Sequence, residues 1–264
     1  MYGAIIGDIA GSRFEWKNSK TKEFELFHED CTFTDDSVMT IAVAKALHES
    51  EKKQFTDLEK QLDFWMHQIG QRYPFCGFGG RFFEWIMSDN AEPYNSFGNG
   101  SGMRTSECAW IAESLKEALS LAERCAAVTH NHPEGIKGAK AITASIFLAR
   151  SRKNKEEIRD YIGKNFYDLN FRLDEIRPSY RFDVSCQGSV PQAIEAFLEA
   201  ESFEDCIRNA ISIGGDSDTI AAMAGSIGEA YYGIDENLKN KADSYLDEYL
   251  RKLVKEMTYE TDHL

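Results

Sequence analysis

The sequence predicts an all-α protein, on three observations. Apolar residues recur at helical spacing along most of the chain. The five prolines (Pro74, Pro93, Pro133, Pro178, Pro191) fall between those stripes, where helices must stop or begin. Only Tyr180, Phe182 and Val184 alternate like a strand, with Phe24 and Leu26 a weak echo, and no sheet can be assembled from so little. The 264 residues, 42% hydrophobic and 28% charged, have the balance of a chain that buries a sizeable core. No composition shift, low-complexity tract or repeat marks a linker, so residues 1–264 read as one domain.

Taken in order, Gly7 to Glu15 (GDIAGSRFE) is a glycine-punctuated helix turn ending in an acid. Val38 to Leu47 (VMTIAVAKAL) is apolar nearly all round and should run through the interior. Leu58, Leu62, Trp65 and Ile69 form a helical stripe behind a Thr56–Glu59 capping-box pattern. Phe75, Phe78, Phe82, Phe83 and Trp85 read as core aromatics. Phe97 to Arg104 (FGNGSGMR) is a Gly-rich loop leading into a helix, an arrangement that suits a pyrophosphate but is also an ordinary turn. Leu115, Ala118, Leu119, Ala122 and Cys125 repeat the stripe, and Ser202 to Asp205 starts a helix that carries Cys206, Ile207, Ala210 and Ile211. Ile220 to Tyr232 (IAAMAGSIGEAYY) is a second helix apolar all round, rich in small residues that let backbones approach. Leu246, Tyr249, Leu250 and Leu253 close the series.

Thirty Lys and Arg against 44 Asp and Glu give a formal charge of −14, which argues against general nucleic-acid binding. Apolar runs fall far short of the ~20 residues a membrane span needs. The N-terminus lacks a basic leader, and six cysteines without Cys-x-x-Cys spacing read as reduced, mostly buried thiols, so the cytoplasm is the expected location.

Both interior helices open on acid: Thr34-Asp35-Asp36-Ser37 and Gly214-Gly215-Asp216-Ser217-Asp218-Thr219. Capping explains one such start, since Asp, Ser and Thr satisfy first-turn N–H groups. Two of them, each feeding a buried helix, place four carboxylates where desolvation costs several kcal/mol apiece unless they are compensated. Neither motif contains Lys or Arg, whereas a pair of hard divalent cations would supply the missing charge.

Read together and in this order, GDIAGSRFE, TDDS, GNGSGMR, Thr129-His130 and GGDSDTIAAMAGSIG resemble the ADP-ribosylglycohydrolase family, and they span residues 3 to about 233. The resemblance implies a single orthogonal helical bundle with a dinuclear metal cleft holding Mg²⁺ or Mn²⁺. It implies that Thr34, Asp35 and Asp36 bind one ion, that Asp216 and Thr219 bind the other, and that Asp218 bridges both. Glu15 matches an acid at the metal site or substrate, and Glu15, Asp35 and Asp216 are the expected catalytic carboxylates. Gly98, Asn99, Gly100, Ser101, Gly102 and Met103 would hold the phosphates and distal ribose, with His130 nearby and one of the Phe75–Trp85 aromatics able to stack on adenine. His132 is expected to be a plain loop residue, and Gln187 and Ser189 to line the cleft. Cys186 has no basic neighbour in sequence and makes a poor nucleophile.

The implied chemistry is hydrolysis of an N- or O-glycosidic bond between ADP-ribose and a protein side chain or small-molecule acceptor. The cations hold the ribose diol and activate water, while carboxylates stabilise an oxocarbenium-like transition state. Two readings compete with it. One is a non-catalytic ADP-ribose-binding member of the same fold; the other is a metal phosphohydrolase that cuts the pyrophosphate. Acceptor and oligomeric state are not encoded in these motifs.

Overall fold

A computed structural model describes residues 1–89 and 92–261, which are helical without a sheet. The helices are α1 (Tyr2–Ser12), α2 (Asp35–Glu51), α3 (Leu58–Gly70), α4 (Gly80–Ile86), α5 (Gly100–Met103), α6 (Ser106–Ile111), α7 (Leu115–Ala127) and α8 (Pro133–Arg150), followed by α9 (Lys155–Asn165), α10 (Leu173–Ile176), α11 (Cys186–Leu198), α12 (Phe203–Ser212), α13 (Ser217–Tyr232), α14 (Glu236–Asp243) and α15 (Glu248–Thr261). Among the described residues no helix is long and apolar enough to cross a membrane.

The two helices apolar all round occupy the interior. In α2 every residue from Val38 to Leu47 is buried except Lys45, and in α13 burial is continuous from Ser217 to Gly228. α13 packs along α1 and is flanked by α8, α11 and α12, while α2 lies against α1, α3, α6 and α15. The α1–α13 contact is closer than side chains permit. A methyl group on Gly7 would stand 2.1 Å from the Ala221 carbonyl oxygen, and one on Gly11 would stand 2.5 Å from the Asp218 Cα. Glycine at these positions brings the first helix directly against the start of α13.

Local signals fix several termini. Ser202 accepts the Asp205 N–H and starts α12, and Asn154 with Glu157 makes a reciprocal capping box on α9. Four expectations need correction. Thr56 and Glu59 make no capping box, because Asp57 is the N-cap of α3 and Glu59 pairs with Arg124. Pro191 lies inside α11, where burial of Val190, Ala193, Ile194 and Phe197 outweighs one missing backbone hydrogen bond. Phe75 is 95% exposed rather than core. Leu246 is buried but precedes α15. The alternating run at Tyr180–Val184 is extended chain that ends in one isolated bridge, Gly98 to Ser185.

Candidate active site

The first acidic start is held from outside by a third element. Asp8 is fully buried at mid-α1. Its carboxylate accepts Thr34 N–H (2.9 Å), Thr34 Oγ1–H (2.6 Å), Ser37 N–H (3.0 Å) and the Ser37 hydroxyl. Two N–H groups at the head of α2 are thereby satisfied by one carboxylate reaching across from α1. The Thr34 hydroxyl is committed to Asp8 and accepts Asp36 N–H, so Thr34 lies behind the cleft wall.

The second start is delivered by Gly214 and Gly215, at φ of 71° and 78°, values that glycine adopts without strain. Asn18 locks this turn, donating from Nδ2 to Gly215 O (2.9 Å) and accepting Gly215 N–H at Oδ1 (2.8 Å). Asp216 then accepts Asn99 Nδ2 (2.6 Å), and the Thr219 hydroxyl donates to Asp36 (3.1 Å). That last bond ties the two acidic starts together.

Two carboxylate triads result. Oxygens of Asp8, Asp36 and Asp218 lie within 4.8 Å of one another, as do those of Glu15, Asp216 and Asp218. Asp218 belongs to both. Asp35 lines the cleft beside Gly77 but belongs to neither.

Burial pushes all six carboxyls above their ordinary range, and neighbouring carboxylates push five of them further. Asp35 is raised to about 8 and Glu15 to about 7, with the Trp16 indole opposing the shift at Glu15. Asp8, Asp36, Asp216 and Asp218 are raised as well, Asp8 by burial alone against its bonds to Ser37 and Thr34, and Asp216 partly relieved by its bonds to Asn99 and Thr219. Among the described residues no Lys or Arg forms an ion pair with any of them. Asp36 Oδ1 and Asp218 Oδ1 are buried without a hydrogen-bond partner. Hard oxygen donors, excess negative charge and two orphaned oxygens fit divalent cations.

Five of the six carboxylates, all but Asp8, line one end of a cleft of about 520 Å³, within the range of small-molecule sites. The other end carries cationic and imidazole groups. Arg81 and the fully buried Arg104 line it, and neither guanidinium has a carboxylate partner among the described residues. His130 is buried, with Nδ1 2.6 Å from Thr129 Oγ1, and the Arg104 Nη2 donates to that same hydroxyl (2.7 Å). Burial, and then Arg104 and Arg81, hold the imidazole well below its usual pKa, so it is neutral.

Gly98, Asn99, Gly100 and Met103 also line the cleft, whereas Ser101 and Gly102 face inward. Ser101 donates to Gly135 O (2.8 Å), and Gly102 packs on Met223 and Ile142. The loop is pinned by Asn99 N–H to Val184 O (2.8 Å) and Cys186 N–H to Phe97 O (2.9 Å). Its Gly98 N–H is turned onto Ser96 (3.1 Å).

Two residues expected in the cleft fall outside it. Gln187 is exposed, and Ser189 is buried on Ser185 O (2.7 Å); neither lines it. His132 caps α8, accepting Glu134 N–H (3.1 Å). Cys186 is buried, donates to Gly98 O (3.1 Å), and has its thiol pushed up to about 12 by burial. Of the aromatic cluster, Phe78 and Phe82 reach the cleft.

Sequence reasoning passed over Asp8, Trp16, Arg81, Tyr94 and Phe182. Only Asp8 had a local signal, a lone acid inside an otherwise apolar helix.

A family model described as ADP-ribosylglycohydrolase matches residues 1–261. ADP-ribosylhydrolase ARH3 of Homo sapiens is 25% identical over 315 residues, covering 89% of this chain and 85% of its own. The ADP-ribosyl-[dinitrogen reductase] glycohydrolase of Rhodospirillum rubrum is 24% identical over 283 residues, covering 96% and 92%. ADP-ribosylarginine hydrolase Tri1 of Pseudomonas putida (strain GB-1) is 24% identical over 266 residues, covering 89% and 70%. A solved ADP-ribosylglycohydrolase-related protein complex superposes with a TM-score of 0.71 over 98% of this chain and 95% of that one, at 21% identity, a likeness of fold. With its whole described length matched, its helices arranged in the same fold and its two acidic helix starts meeting in one cleft, the chain belongs to the ADP-ribosylglycohydrolase family.

Proposed function

We propose that the protein is a cytoplasmic, metal-dependent hydrolase that cleaves the N- or O-glycosidic bond between ADP-ribose and an acceptor, a protein side chain, and releases ADP-ribose. In this reading the whole chain, 1–264, acts as one glycohydrolase domain. The observation that carries the proposal is the polarity of the cleft: two carboxylate triads sharing Asp218 at one end, Arg81, Arg104 and His130 at the other. A substrate with a neutral sugar beside a dianionic pyrophosphate matches that polarity.

Asp36 and Asp218, with Asp35 and the Thr219 hydroxyl beside them and Thr34 supporting from behind through Asp8 and Asp36, would hold one Mg²⁺ or Mn²⁺, and Asp216, Asp218 and Glu15 the other. Such ions supply Lewis acidity to a sugar diol and lower the pKa of water. The chain's own groups do the rest. Asp216, oriented by Asn99, and Glu15, which also lines the cleft, would take a proton from water and stabilise positive charge on the anomeric carbon. Arg104 donates to the Thr129 hydroxyl, which lies 2.6 Å from His130 Nδ1; with that hydroxyl as the donor, Nε2 would carry the proton and, facing the Gly98–Gly100 loop, would be a donor for phosphate. Because the Gly98 and Asn99 amides are already engaged, this loop contributes chiefly by the absence of side chains beside His130.

The test is release of ADP-ribose from ADP-ribosylated substrates with Mg²⁺ or Mn²⁺, repeated with Asp216→Ala and Asp218→Ala. Release by the parent and a loss of at least ~100-fold in either variant supports the proposal. ADP-ribose binding without turnover supports the non-catalytic reading instead, and AMP as product supports pyrophosphate hydrolysis.

A further inference from the structure

Glu15 is the triad carboxylate whose place no helix fixes. Asp8, Asp36 and Asp218 lie within α1, α2 and α13, and Asp216 is the N-cap of α13 and accepts Asn99 Nδ2. α1 ends at Ser12 and α2 begins at Asp35, so Glu15 stands on irregular chain, its own N–H making a long bond to Ser12 O (3.4 Å). One of its carboxylate oxygens nevertheless lies within 4.8 Å of those of Asp216 and Asp218. Like charges at that spacing repel, and a carboxylate on a loose segment would swing away to water. Something outside the triad has to hold it.

Asn18 joins the Glu15 segment to the turn that delivers Asp216. Its Nδ2 donates to Phe14 O (2.8 Å) and Glu15 O (3.0 Å) on one side and to Gly215 O (2.9 Å) on the other, while Oδ1 accepts Gly215 N–H (2.8 Å). Lys20 adds a second tie, its Nζ donating to Ile213 O (2.5 Å) and to Tyr180 O (3.0 Å). The fit is close. A methyl on Gly214 would stand 2.9 Å from both Asn18 Oδ1 and Lys20 Nζ, so glycine there serves the tie as well as the backbone angle. The bonding calls for a carboxamide, which donates to the carbonyl and accepts from the N–H of the same residue. An aspartate would turn its oxygens on three carbonyls.

We infer that Asn18, backed by Lys20, is the positioning residue for Glu15 and sets its carboxylate against Asp216. What Glu15 does there rests on the proposed function; how Glu15 is held rests on the bonds just described. Asn18 and Lys20 are both exposed and outside the core, so their loss spares the fold and frees the segment. Asp216 keeps its own hold in Asn99, which means that the brace acts on the reaction through Glu15.

The experiment compares the full-length parent with Asn18→Ala, Asn18→Asp, Lys20→Met, Glu15→Gln and the Glu15→Gln/Asn18→Ala double variant. In EDTA, hydrogen exchange read by mass spectrometry is expected to quicken about tenfold in Asn18→Ala over residues 13–20 and 213–217, with the rest of the chain and Tm little changed. Asn18→Asp should do the same, and Lys20→Met should move the same stretches by less. With Mn²⁺ and an ADP-ribosylated peptide, Asn18→Ala should lower kcat about tenfold at nearly constant KM. In the Glu15→Gln background the same substitution should change kcat less than about twofold. Parental exchange in Asn18→Ala overturns the inference, and so do losses that multiply in the double variant. Exchange that quickens along the whole chain makes Asn18 a residue of the fold and overturns it as well. A parent that releases no ADP-ribose removes the proposed function, while faster exchange confined to the two stretches still upholds the brace.

Discussion

Gly11→Ala tests whether the α1–α13 contact sets the geometry of the carboxylate cluster. The added methyl would sit 2.5 Å from Asp218 Cα and 2.7 Å from Asp218 N and Ser217 O, backbone atoms that no side-chain rotation moves aside. Restoring ordinary contact requires the helices to part by on the order of 1 Å. Overpacking of this kind costs ~1–3 kcal/mol, and the helix propensity of alanine over glycine offsets about 1 of that. The net destabilisation, about 0–2 kcal/mol, corresponds to a fall in Tm of up to roughly 8 °C for a chain of this size. Asp218 moves with α13 while Asp36 and Glu15 do not, so both triads open at their shared member. A 1 Å misplacement reduces turnover on the order of 100-fold. The control is Gly163→Ala in α9, where a methyl meets nothing within 4 Å, and Tm should rise slightly. Scanning fluorimetry reads the stability and ADP-ribose release the activity. Gly11→Ala with parental Tm and parental turnover refutes the reasoning.

Three further outcomes follow from the same geometry. Asp218→Asn keeps the shape of the group shared by both triads but removes its charge. The metal-free variant should be no less stable than the parent, while the gain on adding Mn²⁺, about 2.7 kcal/mol for one ion at 100-fold its dissociation constant, should largely vanish in calorimetry. In EDTA the parent should lose stability as pH rises. Glu15 near 7 and Asp35 near 8 hold protons in the folded state that the unfolded chain has released by pH ~5, so Tm falls between about pH 5 and 8, and Asp35→Asn flattens the slope. A Tm that rises over this window contradicts the assignment. Cys186, buried and with its thiol pushed up to about 12, should stay unmodified by iodoacetamide at pH 7.5 in native protein, as peptide mass spectrometry would show, and activity should survive the treatment.

How much of this was legible in the sequence depends on how local each cause is. The interior course of α2 and α13 follows from their composition, and the Ser202 cap from four consecutive residues. The meeting of two acid-rich helix starts was legible because each motif alone leaves charge uncompensated. Asp8 was not, since its role depends on Thr34 and Ser37, 26 and 29 residues away. Trp16 carried no signal and Phe182 read only as part of a strand-like alternation, because a rim assembled from two distant loops has no periodicity. Phe75 read as core for the same reason: an aromatic run outside a helix carries no information about facing. The Thr56–Glu59 pattern failed because Asp57 binds Ser50, Lys53 and Gln61 and so takes the start of the helix.

The triads unite residues 8–36 with residues 216–218, stretches that lie far apart in the chain. α1 is made some two hundred residues before the helix its glycines fit, and until α13 emerges the nascent polypeptide holds only part of each carboxylate triad. Assembly of the two triads thus marks that the chain has closed on itself, and a chain arrested short of α13 lacks the carboxylate that both triads share.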